Sequence, residues 1–82
     1  MNKEGISRIV EDVIVRIVPD LKGKSIDFDS TLEDLGADSV DRSEIMVLCL
    51  EALSLNVSLV ELAAVRTPAE LTERLSHIAP HA

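Results

Sequence analysis

The chain has 82 residues, enough for one small domain over residues 1–82 with a single core and little room for a buried catalytic cleft. Apolar residues make up 46% of it but Phe28 is the only aromatic, so the core has to be aliphatic. A formal charge of −7 disfavours nucleic acid and anionic membranes as partners, and a lone cysteine, Cys49, excludes an internal disulfide.

In chain order, residues 4–18 carry Ile6, Ile9, Val10, Val13, Ile14 and Ile17 at helical spacing, with Ser7, Arg8, Glu11, Asp12 and Arg16 opposite. This predicts a first helix, stopped by Pro19. Residues 19–37 form a long connection whose Leu21, Ile26, Phe28, Leu32 and Leu35 can dock on the helices. Within it, Ser30 followed by Glu33 fits a capping box, which predicts one helical turn over 31–35 ended by Gly36.

A second helix is expected over 39–53, capped by Asp38, with Ile45, Leu48, Cys49, Ala52 and Leu53 as its core face. Val40, Glu44, Val47 and Glu51 fall on a separate stripe of alternating valines and acids, the pattern of a docking surface. "SLVELAAV", residues 58–65, reads as a short helix capped by Ser58. A last helix is expected over 68–79, with Thr67 as cap, Pro68 at its first position, and Leu71, Leu75 and Ile78 facing inward. The fold class is all-α: a four-helix bundle of three main helices, a short third helix and a long first loop.

The negative charge is concentrated. Residues 20–51 hold nine acids against Lys22, Lys24 and Arg42, a net of −6, which is either a solvated surface or a field that attracts basic partners. In its midst stands "LGADSVDRSEI", residues 35–45, with Ser39 between an aspartate and a valine in the first turn of the second helix. A nucleophilic serine needs a base, and no histidine or lysine is close in sequence; Gly-x-Ser-x-Gly and phosphate-cradling glycine loops are absent. Ser39 therefore reads either as part of a helix start or as a residue that another enzyme modifies, since its hydroxyl can face solvent where first-turn N–H groups favour an attached phosphate diester. No zinc spacing exists, and His77 and His81 lie at the frayed C-terminal end, so no metal site is expected. Cys49 falls on the core face and reads as a small hydrophobe rather than a reactive thiol.

"LGADSVDRSEI" resembles the attachment motif of acyl carrier proteins, and the order of helix, long loop, Asp-Ser, helix, short helix, Thr-Pro and last helix follows that family over most of the chain. The resemblance implies that a phosphopantetheinyl transferase moves 4′-phosphopantetheine from coenzyme A onto Ser39, and that the arm's thiol then carries acyl groups as thioesters. It implies a carrier rather than an enzyme, with partner docking through Asp38, Val40, Asp41 and Glu44, continued by Val47 and Glu51. The expected partners are the transferase and acyl-processing enzymes such as ketosynthases, acyltransferases or a hydroxymethylglutaryl-synthase-like enzyme. No membrane or nucleic-acid partner is expected. With no signal-peptide pattern or bilayer-length apolar run, the expected state is a cytoplasmic monomer.

Several residues depart from the fatty-acid type. Val40 replaces the usual Leu, Arg42 adds a positive charge, Leu50 and Ala52 stand where Glu is general, and "LVELAAVR" contains one acid where that type is strongly acidic. Either these residues enlarge the core, or Leu59 and Val60 belong to an altered, partly apolar docking surface. "DSVDRSEI" with "LVEL" is similar to the discrete carriers of polyketide β-branching cassettes, which donate acetyl to a hydroxymethylglutaryl-synthase-like enzyme. A carrier for fatty-acid or general polyketide extension is the alternative within the class; a helical interaction module without prosthetic group is the alternative outside it.

Overall fold

The computed structural model describes residues 2–79, so His81 lies outside the described residues. Three α-helices, α1 (Lys3–Ile17), α2 (Ser39–Ala52) and α3 (Pro68–Ile78), are joined through two 3-10 turns, Pro19–Leu21 and Leu59–Leu62. Helix α1 packs against both α2 and α3.

Each helix starts where a side chain can take an orphan N–H. The Asn2 carboxamide oxygen accepts the Gly5 N–H at 2.8 Å, which starts α1 one residue earlier than its apolar pattern predicts. Helix α1 also ends one residue earlier, at Ile17, because Val18 precedes Pro19 and is pushed out of the helical region, to φ −120° and ψ 79°. At α3, Thr67 and Glu70 form a reciprocal capping box behind Pro68. An ion pair between Lys3 and Glu73 ties the start of α1 to α3.

The core is aliphatic, as the composition requires. Ile6, Val10, Val13 and Ile14 meet Ile45, Cys49 and Leu50 of α2 and Leu71 and Leu75 of α3, with Leu32, Ala37 and Leu62 closing the ends. Leu21, Ile26, Phe28 and Leu35 pack on it half-buried, so the long connection is anchored as expected. Two backbone bonds hold it against the α3 entry: Leu32 N–H to the Arg66 carbonyl at 2.9 Å and Ala69 N–H to the Phe28 carbonyl at 3.0 Å.

Four expectations are corrected. Ser30 does not cap the turn at 31–35; its hydroxyl donates to Asp27, and Thr31 Oγ1 accepts the Asp34 N–H at 3.0 Å instead. The short third helix is a 3-10 turn of four residues, not a helix over 58–65, although Ser58 caps it as expected. On α2, Leu50 is buried and Ala52 is exposed, the reverse of the predicted core face, and Leu48 and Leu53 are only half-buried. The cause is the chain reversal after α2: Leu55 N–H bonds the Leu50 carbonyl at 2.8 Å and Ser54 N–H bonds the Glu51 carbonyl at 3.0 Å, folding the following segment back over the Leu50 side. His77 does not sit in a frayed end but in the last turn of α3, bonded to Glu73.

That reversal places Ser54 at φ 55°, the left-handed region that a side chain disfavours, whereas Gly36 fills the equivalent place at φ 105° before α2. Ser54→Gly is expected to raise stability by about 0.5–1 kcal/mol and Gly36→Ala to lower it by about 1–2 kcal/mol. Urea midpoints at unchanged slope measure both. Burial pushes the Cys49 thiol from an ordinary 9.0 up to about 12. The folded state thus retains a proton that the unfolded chain releases; this contribution to stability is fully present below about 9.0 and is lost as pH rises toward about 12. At about pH 8, iodoacetamide labelling of Cys49 is expected to be at least about a hundredfold slower in the folded protein than in denaturant.

Candidate functional site

The site is built at the start of α2. A turn over residues 32–36 ends with Ala37 N–H on the Leu32 carbonyl at 3.0 Å and Gly36 N–H on the Glu33 carbonyl at 3.0 Å, the two bonds of a Schellman motif. Immediately beyond it, Asp38 Oδ1 accepts the Asp41 N–H at 2.8 Å and Asp41 Oδ2 accepts the Asp38 N–H at 3.2 Å. This reciprocal box fixes Asp38 as the cap and leaves Ser39 as the first helical residue, exposed to solvent. By helix geometry the N–H groups of Ser39 and Val40 have no intrahelical partner and point out of the same end.

The predicted docking residues divide into two groups. Asp38 and Asp41 are engaged in the cap, and Asp41 is half-buried. Val40 (72% exposed), Glu44, Val47 and Glu51 form the expected open stripe along α2. Leu59 and Val60 are exposed on the second 3-10 turn, Val60 at 75%. Of the departures from the fatty-acid pattern, Leu50 therefore enlarges the core, while Val40, Leu59 and Val60 alter the surface.

Between α2 and that turn runs a surface groove of about 450 Å³, with Ser39, Arg42, Ser43 and Met46 on one wall and Leu59, Val60, Ala63 and Val65 on the other. None of these groove residues is a histidine, carboxylate or amine that could act as a general base. A serine hydroxyl that is exposed, flanked by the small Ala37, and set beside free first-turn N–H groups fits esterification by an external enzyme with a phosphate-linked arm. Sequence reasoning missed the groove, although Ser43 and Met46 follow Ser39 at the i+4 and i+7 positions of the same helical face. It also missed the role of Arg42, whose Nη1 donates to the Ala37 carbonyl at 3.1 Å and lies 3.8 Å from Glu33, bracing the turn ahead of Ser39.

Glu73, held below the usual carboxylate range first by the hydrogen bond from Lys3 and then by that from His77, belongs to α3 and not to this constellation. Among the described residues no three His, Cys, Asp or Glu side chains converge as a metal site, and no helix is long and apolar enough to cross a membrane.

The family described as phosphopantetheine attachment site matches residues 8–75, a span that contains the whole constellation. The chain is 40% identical over 75 residues to the polyketide biosynthesis acyl-carrier-protein AcpK of Bacillus subtilis (strain 168), covering 92% of each. It is also similar, with a TM-score of 0.89 and 34% identity, to a chain in the crystal structure of the curacin biosynthetic pathway HMG synthase in complex with acetyl donor-ACP, covering 94% of this chain and 99% of that one. The chain thus belongs to the phosphopantetheine attachment site family and is an acyl carrier protein, a bearer of covalent 4′-phosphopantetheine.

Proposed function

We propose that Ser39 is the residue that carries the phosphopantetheine, and that the loaded protein donates acetyl to a hydroxymethylglutaryl-synthase-like enzyme in polyketide β-branching. The group, once bound, supplies a thiol that holds the acyl cargo as a thioester. The protein's own part is to present it: the Asp38–Asp41 box holds Ser39 at the helix start, and α2 and the second 3-10 turn offer the surfaces that enzymes grip.

The observation that carries the reading is the second 3-10 turn. It displays Leu59 and Val60 to solvent, and its single acid, Glu61, is drawn off to Arg74, which bonds both the Glu61 carboxylate at 2.8 Å and the Glu61 carbonyl at 3.1 Å. A carrier that serves fatty-acid enzymes relies on an acidic surface there; this one offers apolar contact. The same partly apolar surface, with the likeness to a chain from a complex of an HMG synthase with its acetyl donor, supports a narrow partner set. The likeness to AcpK supports the polyketide setting. Glu44 and Glu51 remain free for basic partners such as a phosphopantetheinyl transferase, while Val40 and Val47 add apolar contact between them. A buried, high-pKa Cys49 is at home in the reducing cytoplasm in which we place this work.

Acetyl-loaded protein offered to a β-branching synthase and, separately, to a fatty-acid ketosynthase is expected to transfer to the synthase only. Equal or better use by the ketosynthase contradicts the donor role. Val60→Asp is expected to lower transfer to the synthase by about tenfold or more, the scale of one buried interface contact, with loading at Ser39 unchanged.

A further inference from the structure

Arg42 is the one base on α2, which carries three acids, Asp41, Glu44 and Glu51. It stands three residues after Ser39, and Ser39, Arg42, Ser43 and Met46 share the helix face that walls the groove opposite Leu59 and Val60. Among the described residues only one guanidinium nitrogen is committed, Nη1 to the Ala37 carbonyl at 3.1 Å; Glu33 approaches that same nitrogen at 3.8 Å. A guanidinium has five N–H donors in a planar fork, so Nε and Nη2 remain for another acceptor. The bond to Ala37 holds the fork near the helix start, and with a side chain only 34% exposed its charge is less screened than that of a surface lysine.

The geometry points to Arg42 as the residue that pairs with the phosphodiester formed at Ser39 and turns the arm into the groove between α2 and the second 3-10 turn. This inference rests on Ser39 being the attachment residue. The diester brings a negative charge to a helix start that already carries Asp38 and Asp41, which repel it. Arg42 is the neighbouring charge of opposite sign, and its fork suits phosphate oxygens better than an ammonium does. Pairing there sends the arm along Ser43 and Met46 toward Val60, leaving the Val40, Glu44 and Val47 stripe clear for a docked enzyme.

The test uses isotopically labelled full-length protein before and after loading with 4′-phosphopantetheine, wild type beside Arg42→Gln and Arg42→Lys, observed by NMR. The Arg42 Nε–H resonance of the wild type is expected to move on loading. Contacts from the geminal methyl groups of the arm to Met46 and Val60 are expected to weaken by about threefold in Arg42→Gln, the scale of a partly exposed ion pair. Arg42→Lys is expected to fall between, and the diester phosphorus resonance to shift with both variants. An Arg42 resonance that stays put on loading overturns the proposal, and it does so in the wild type, whatever the variants do to folding. Arm contacts and phosphorus shift that are indifferent to Arg42→Gln overturn it equally. Intact mass separates the two levels: protein that takes up no arm removes the Ser39 assignment together with this proposal, whereas protein that is loaded but shows no Arg42 response removes this proposal alone.

Discussion

The reciprocal bond between Asp38 and Asp41 decides where α2 begins, and the position of the serine follows from that. If the helix began one residue later, Ser39 would become the non-helical cap and leave the helical face it shares with Arg42 and Met46. The box is reinforced from upstream. Gly36 closes the preceding turn, Ala37 is buried, the Leu32 N–H is tied to the Arg66 carbonyl, and Arg42 reaches back to the Ala37 carbonyl. Each of these interactions contributes only about 1 kcal/mol, but together they hold a solvent-exposed hydroxyl in one place on a domain with a small core.

This arrangement changes the meaning of the acidic charge. Counted along the chain, the acids around Ser39 look equivalent. In the fold they are not: Asp38 and Asp41 satisfy backbone N–H groups, Asp27 organises the loop, Glu33 approaches Arg42, and Glu61 is paired with Arg74. Glu44 and Glu51 are the acids of α2 free of such duties, and they alternate with exposed valines. The surface proposed for docking is accordingly less a negative patch than a mixed one, continued by the apolar second 3-10 turn. Such a surface gains specificity from shape and apolar contact, and its charges chiefly steer the encounter.

Much of this was legible in the sequence where local physics decides. The apolar spacing of α1, the Thr67-Pro68 start of α3 and the Asp38 cap are short-range signals, and they place the helices within a residue of the observed bounds. The place of Ser39 as the first residue of α2 was legible for the same reason. What escaped depends on contacts between distant segments. Ser30 and Thr31 are both plausible caps in isolation, and Asp27 takes the serine. Leu50 is buried because the chain doubles back after Ser54, which no helical wheel of α2 contains. The third element tightens into a 3-10 turn as Leu62 alone is buried within it and the chain must then reach Arg66, whose carbonyl holds Leu32. Arg42 read as a stray charge until the turn at Ala37 was in place.

The central claim is that this serine, held by this cap, bears the arm. Intact mass after incubation with coenzyme A and a broad-specificity phosphopantetheinyl transferase tests it most directly, with the wild type beside Ser39→Ala. The account predicts a gain of one phosphopantetheine on the wild type and none on the variant, which keeps its fold because Asp38, not Ser39, supplies the cap. Equal modification of both proteins would contradict the assignment. So would no modification of either by a transferase proven active on a control carrier, which would leave Ser39 as the first residue of a helix and nothing more.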